Sequence, residues 1–203
     1  RSKMSTSDEP SKTIRIIACG VFRPVMEYIA LQEKYPNLKV TYLPSVLHLR
    51  PPDLKNFLVS EINSAQKRDE AVICLYGWCF PDIEEICKQH SVIKVPGTYC
   101  YEMFLGPDRF NQIMNETAGT YFMENDLITN FEQHCKTPLE LHDETMRRYC
   151  FEHYTKLVYV RQPADTDLTT QVDEIADLLE LAIDVQDADY SYLENKLTEL
   201  LNP

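Results

Sequence analysis

The chain has 203 residues, a hydrophobic content of 44% and a formal net charge of −12 at pH 7. This length suits one domain with a sizeable core, and the apolar content is typical of a folded globule. The acidic balance argues against a general nucleic-acid binder or a protein held on anionic membranes, because both need a basic surface.

From residue 13 onward, short runs that are apolar or alternate between apolar and polar residues are interspersed with segments of helical periodicity. The clearest helical pattern is residues 167–181, where apolar residues line one side. This alternation predicts an α/β fold, with a mostly parallel sheet flanked by helices in a Rossmann-like three-layer sandwich. We expect a flexible polar leader over residues 1–12 and a single α/β domain over residues 13–203. The predicted strands are 13–18, 38–43, 71–76, 92–95, 119–123, 156–160 and 182–186. The predicted helices include 21–35, 53–67, 82–90, 125–134, 141–154 and 167–181, and a last helix that starts at Asp189 or Ser191 and runs to Leu201.

The cysteine usage predicts a cytoplasmic protein. There are seven cysteines, an odd number, and neither a signal peptide nor an apolar run long enough to span a bilayer is visible. A disulfide framework is not expected in such a chain, and in a reducing compartment clustered cysteines serve as metal ligands, nucleophiles or core residues. We expect neither a nucleic-acid partner nor a membrane partner.

Four candidate metal ligands follow four consecutive predicted strands: Cys19, His48, Cys79 and Cys100. Because the carboxyl ends of parallel strands meet at one edge of a sheet, we expect these side chains to converge there. Three cysteines and one histidine form a familiar tetrahedral set for zinc, and thiolates also hold iron–sulfur clusters. The pattern therefore predicts a metal site at this edge, with zinc favoured over an iron–sulfur cluster.

Four further residues adjoin these cysteines. Trp78, Tyr99 and Tyr101 flank them and are candidates for the walls of a cofactor-binding pocket, with core packing as the alternative use. Glu102 is the candidate catalytic residue, as a general base or as a group that orients a ligand. Its alternative interpretation is a carboxylate that stabilises the start of a helix through the helix dipole.

Other histidines and cysteines have plainer interpretations. His142 and His153 compete with His48 as ligands, whereas His90 and His134 are interpreted as solvent-facing ends of helices. Cysteine is among the most frequently buried residue types, so cysteines inside predicted strands and helices are interpreted as small apolar core residues. These are Cys74, Cys87, Cys135 and Cys150.

A series of short motifs runs along the chain: IACG at residues 17–20, LH at 47–48, YGWC at 76–79, CYE at 100–102 and GTYF at 119–122. In order and spacing, this series resembles an uncharacterised family of bacterial and archaeal proteins, a domain of unknown function with YGxC and CYE motifs. Its members are often encoded beside corrinoid-dependent methyltransferases. The resemblance covers nearly all of the chain from Ile14 onward. The chain departs from the family pattern at Phe80-Pro81 and at Tyr99, where the family has a histidine.

The resemblance implies a cytoplasmic protein of one-carbon or corrinoid metabolism, with a corrinoid protein or a methyltransferase as its partner. With the ligand set, it favours a zinc protein in which methyl transfer to a zinc thiolate is the expected chemistry. Two alternatives stay open: an iron–sulfur protein with a redox or corrinoid-reactivating role, and a non-enzymatic partner protein of a methyltransferase. A thiol nucleophile at Cys79 or Cys100 ranks last, because no histidine base is well placed for it. Whether the protein is an enzyme stays open at this stage.

Overall fold

The computed structural model describes residues 12–202. The predicted leader therefore lies outside the described residues, apart from Lys12. Seven strands are described, all paired in parallel, and they form two sheets. The first sheet has the order β2-β1-β3-β4, with β1 (Ile14–Cys19), β2 (Leu38–Leu43), β3 (Ala71–Leu75) and β4 (Ile93–Lys94). The second has the order β5-β6-β7, with β5 (Thr120–Met123), β6 (Lys156–Arg161) and β7 (Ala182–Asp187).

Helices connect the strands and cover the sheets, so the predicted parallel α/β sandwich is confirmed. The helices are α1 (Arg23–Ile29), α2 (Leu31–Lys34), α3 (Pro51–Lys67), α4 (Ile83–Gln89), α5 (Cys100–Leu105), α6 (Pro107–Glu116), α7 (Asn125–Thr129), α8 (Glu144–Phe151), α9 (Thr169–Leu179) and α10 (Ser191–Leu201). Short 3-10 turns occupy Gly20–Phe22 and Ser45–Leu49, and a π-helical turn occupies Glu132–Lys136. Among the described residues, no helix combines the length and the apolar character needed to cross a membrane.

The first sheet ends at β4, which is very short. It contributes only two residue pairs to the ladder, Ile73 with Ile93 and Cys74 with Lys94. Such a strand offers little edge for a further strand to pair with. The chain instead passes through α5 and α6 and begins a second sheet with β5.

Two predicted helices are interrupted in the structure. The helix predicted over residues 21–35 breaks at Ala30, whose φ of 49° is left-handed and interrupts the backbone ladder between α1 and α2. The helix predicted over 125–134 ends at Thr129 and resumes as the π-helical turn. Apolar periodicity continues across such breaks, so it does not reveal them.

Strand β6 joins two hydrophobic cores, because alternate residues of a strand point to opposite faces. Val158 and Val160 belong to the core built on β1 and β3, whereas Leu157 and Tyr159 belong to the core under α9. The last helix, α10, packs against the first of these cores. The first sheet is therefore buried partly by residues from the far end of the described chain.

A buried ion pair fixes the start of the first sheet. Arg15 donates from Nη2 to Oε1 of Glu70 at 2.9 Å and from Nη1 to Oγ1 of Thr41 at 2.8 Å. Glu70 also accepts from Arg68, and the Glu70 side chain is only 4% exposed. The hydrogen bonds from Arg15 lower the pKa of Glu70 to about 2. The pair thus ties β1 to the turn before β3.

Candidate functional site

Two glycines let the loops at the carboxyl ends of the first sheet come close together. A Cβ atom on Gly77 would lie 2.6 Å from the carbonyl oxygen of Thr98, and the N–H of Trp78 donates to that oxygen at 2.8 Å. A Cβ atom on Gly20 would lie 3.2 Å from the carbonyl oxygen of Leu43. The loops after β3 and β4 therefore approach each other, as do those after β1 and β2.

A cavity of about 350 Å³, the thiol cavity, opens where these loops meet. All four predicted metal ligands and all three predicted aromatic wall residues line it. The convergence expected from the parallel strand order is therefore present in the structure. The lining residues are Cys19, Val21, Phe22, His48, Gly77, Trp78, Cys79, Thr98, Tyr99, Cys100, Tyr101, Glu124, Asp126, Leu127 and His134.

Glu102 lies beside the thiol cavity rather than in its lining. Its Oε2 accepts a hydrogen bond from the backbone N–H of Thr98 at 2.8 Å, and its side chain lines a separate side cavity together with Lys94. The carboxylate therefore holds the loop in front of Cys100 in place. Its catalytic role stays a prediction. The competing histidines, His142 and His153, are both exposed and are not among the cavity-lining residues.

The three thiols of the cavity are protonated at neutral pH. Burial raises the pKa of Cys19 to about 12 and raises the pKa of Cys100 well above its ordinary value. Burial also raises the pKa of Cys79, which the ammonium of Lys94 partly offsets. Negative charge on Glu124 raises the pKa values of Cys19 and Cys100 further. Thiolates in this cavity therefore need a cation among them.

One ring nitrogen of His48, which lines the cavity, is hydrogen-bonded to the backbone. His48 lies in the 3-10 turn after β2, and its Nδ1 is 2.6 Å from the carbonyl oxygen of Ser45. A carbonyl oxygen can only accept, so Nδ1 carries the proton and Nε2 keeps its lone pair. Histidines that bind metals usually have this arrangement, with the second ring nitrogen donating to a carbonyl or a carboxylate.

His134 also lines the cavity, so its interpretation as a solvent-facing helix end is wrong. Its side chain is only 10% exposed, and its ring lies edge-on to that of His48 with centroids 6.2 Å apart. Nδ1 lies 3.8 Å from Oδ2 of Asp126 and has no hydrogen-bond partner among residues 12–202. The π-helical turn that contains His134 replaces the regular helix on which the interpretation depended.

Glu124 is a second contributor that the sequence interpretation missed. Its side chain is 3% exposed and accepts from the backbone N–H of Asp126 at 2.7 Å and of Leu127 at 2.9 Å. Burial raises its pKa to about 7, although both hydrogen bonds favour the charged form. A signal was available, because Glu124 and Asp126 directly follow the fifth predicted strand, as the cysteines follow earlier ones.

Most residues of this site lie in the part of the chain that matches a known protein family. A scan against protein-family models matches residues 42–197 to a family described as protein of unknown function, DUF1638. The chain belongs to this family. The expected membership of a domain-of-unknown-function family is therefore confirmed. Within DUF1638, the match includes His48, Cys79 and Cys100, while Cys19 precedes it. Searches of curated proteins and of solved structures found no match.

A metal would suit the chemistry of this DUF1638 site but not the present side-chain positions. Within residues 12–202, no three His, Cys, Asp or Glu side chains are arranged so that they could hold a metal ion. The donors are nonetheless those that zinc prefers. The hydroxyl of Tyr76 is buried and unpartnered among the described atoms, and this burial raises its pKa. Coordination would require rotation of the cysteine side chains toward a common centre.

Proposed function

We propose that this protein binds zinc in the thiol cavity through Cys19, His48, Cys79 and Cys100. The observation that carries the proposal is the convergence of three thiols and one imidazole, from the ends of four strands or the segments that follow them, on one cavity. Among the described residues that line it, none is a lysine or an arginine, while Asp126, and Glu124 in its ionised form, add negative charge. Such a lining favours a cation, and the sulfur and nitrogen donors favour a soft one.

The raised pKa values of the thiols give zinc a definite chemical role. Zinc holds cysteine as the thiolate, so binding removes protons from thiols that the fold otherwise keeps protonated. His48 is the exposed member of the set, whereas Cys19 is 8% exposed. If the cysteines alone hold the metal, the remaining position can bind a substrate thiol or water and lower its pKa.

The proposal is tested by elemental analysis and visible absorption of protein purified without oxygen. We expect near-stoichiometric zinc that is lost in Cys79→Ser and Cys100→Ser. Cys150→Ser is the matched control, because Cys150 is also partly buried but packs against the second core. Iron with sulfide and an absorption that dithionite bleaches would favour the iron–sulfur alternative. Folded wild-type protein without any metal would overturn both versions.

The cellular role is a further part of the proposal. Free thiols at all seven cysteines support a reducing compartment, and we propose the cytoplasm. A role in one-carbon or corrinoid metabolism is supported by the family resemblance alone. Anaerobic co-purification from native cells tests it: a partner with a corrinoid absorption spectrum is expected, and its loss in Cys79→Ser would tie the partner to this cavity. A partner retained by that variant would favour a non-enzymatic binding role instead.

A further inference from the structure

We propose that the mouth of the thiol cavity binds a methylated cationic group, a quaternary ammonium or a sulfonium, against the rings of Trp78, Tyr99 and Tyr101. The inference rests on the proposed function in that both take this cavity to be a ligand site. It goes further by naming the chemical class of the organic ligand. Its support comes from the aromatic rim, from the charge of the lining and from the hydrogen bonds already made there.

Two large aromatic side chains stand at the rim and are unusually open to solvent. Trp78 is 58% exposed and Tyr99 is 53% exposed. Each is nevertheless held by a contact of its own. The indole N–H of Trp78 donates to Oε1 of Glu84 at 2.8 Å, and the ring of Tyr99 packs on Phe110 with centroids 5.6 Å apart. The two rings are therefore fixed in position although they are exposed.

Tyr101 supplies the third ring, deeper in the same cavity. It is partly buried and stacks on Phe122, with ring centroids 5.3 Å apart and an interplanar angle of 21°. Three aromatic side chains that line one cavity, each braced by a neighbour, resemble the aromatic cages that bind quaternary ammonium groups. Bracing matters because rings that are already positioned lose little conformational entropy on binding.

The charge of the lining favours a cation over a neutral or anionic ligand. Glu124 and Asp126 line the cavity, with no lysine or arginine among the described lining residues. Lys94 lies in the side cavity, where its ammonium donates to the carbonyl oxygens of Val95 at 3.1 Å and Gly97 at 2.8 Å. Its ammonium is therefore engaged by backbone carbonyl groups in the side cavity, which Trp78 also borders. Nδ1 of His134, on a side chain that is only 10% exposed, has no hydrogen-bond partner among the described residues and independently marks this cavity as a ligand site.

The existing hydrogen bonds favour a methylated cation over a primary ammonium. A primary ammonium carries three donors and needs acceptors for them when it leaves water. Both oxygens of Glu124 already accept backbone N–H groups, and Oδ1 of Asp126 accepts from Asn130 at 3.1 Å. These bonds use one lone pair on each of three carboxylate oxygens, so the cavity offers negative charge and aromatic faces while part of its acceptor capacity is already taken. A methylated cation needs no hydrogen-bond acceptor, and it is attracted both by the negative charge and by the aromatic faces.

Trp78 allows a direct test, because it is the only tryptophan of the chain. Its fluorescence is titrated with choline and with 3,3-dimethylbutan-1-ol, the neutral isostere, at constant ionic strength. We expect a saturable change with choline and at least about tenfold weaker binding of the isostere, as cation–π and charge terms require. Tyr99→Leu should weaken choline binding roughly fivefold, whereas Tyr99→Phe should retain it. Tyr149→Leu is the matched control, since Tyr149 is 75% exposed and does not line the cavity.

The outcomes separate this inference from the zinc proposal. Equal affinity for choline and its isostere, no saturable binding of choline, or choline binding unchanged by Tyr99→Leu would each overturn the aromatic site. Metal content measured on the same samples reports on zinc independently. Protein that contains zinc but binds choline no more tightly than its isostere would refute the present inference alone. Protein that binds choline selectively but contains no metal would refute the zinc proposal alone. Circular dichroism of each variant establishes that it is folded.

Discussion

Replacing Glu124 with glutamine should change how the stability of the protein depends on pH. The fold raises the pKa of this carboxyl group from an ordinary value of 4.5 to about 7, chiefly through burial. Between these values the folded chain keeps a proton that the unfolded chain has lost. The free energy of unfolding contributed by this group is therefore fully present below pH 4.5 and is lost as the pH rises to 7.

The size of the effect follows from the difference between the two pKa values. At about 1.4 kcal/mol for each unit, the shift corresponds to a loss of about 3 kcal/mol across that range. Glutamine at position 124 carries no titrating proton, so the variant should lack this loss. It can still accept from Leu127, but its amide group faces the N–H of Asp126, which costs roughly 1 kcal/mol at every pH.

The assay is urea unfolding at half-unit intervals from pH 4.5 to 8, with a chelator present so that metal binding does not contribute. The stability of the wild type should fall relative to Glu124→Gln by about 3 kcal/mol across the range. Glu70→Gln is the control, because the pKa of Glu70 is lowered to about 2 and its carboxylate stays charged throughout. Parallel curves for wild type and Glu124→Gln would refute the reasoning.

Three other predictions concern the frame of the site and its metal. Gly77→Ala should lower stability by about 2 kcal/mol and reduce bound zinc, because its Cβ would lie 2.6 Å from the carbonyl oxygen of Thr98; an unchanged urea midpoint would contradict this. Glu70→Gln should cost about 3 kcal/mol at pH 7 by leaving Arg15 without its carboxylate, and this difference should shrink as the pH falls from 4.5 toward 2. Zinc affinity should rise at least about tenfold per pH unit between pH 6.5 and 8, because binding displaces the proton of Cys19. Competition with a chromogenic chelator measures this affinity. An affinity that does not change with pH would contradict the assigned ligands.

Much of the fold could be predicted because its strands are apolar and are paired in parallel. Buried runs such as residues 71–76 are unmistakable as central strands. The division into two sheets could not be predicted in the same way, since the apolar pattern of residues 92–95 does not show that β4 pairs over only two residues and ends the first sheet. The break at Ala30 also escaped prediction, because an alanine in a left-handed conformation leaves no trace in the pattern of apolar residues.

The site was predictable to the extent that it lies at strand ends. Cys19, His48, Cys79 and Cys100 follow consecutive strands of one parallel sheet, and topology alone brings such residues to one edge. His134 was not predictable by this argument, because it reaches the cavity from an irregular turn of the second half of the chain.

The packing of α10 has a consequence for how the protein is made. Leu193 and Leu197 are fully buried in the core of the first sheet, and Tyr190 donates its hydroxyl proton to Gln162 beside them. During translation, β1 to β4 leave the ribosome before this helix does. The apolar surface that α10 covers therefore stays exposed until the helix has been made. Burial of the first core is therefore complete only after α10 has been made.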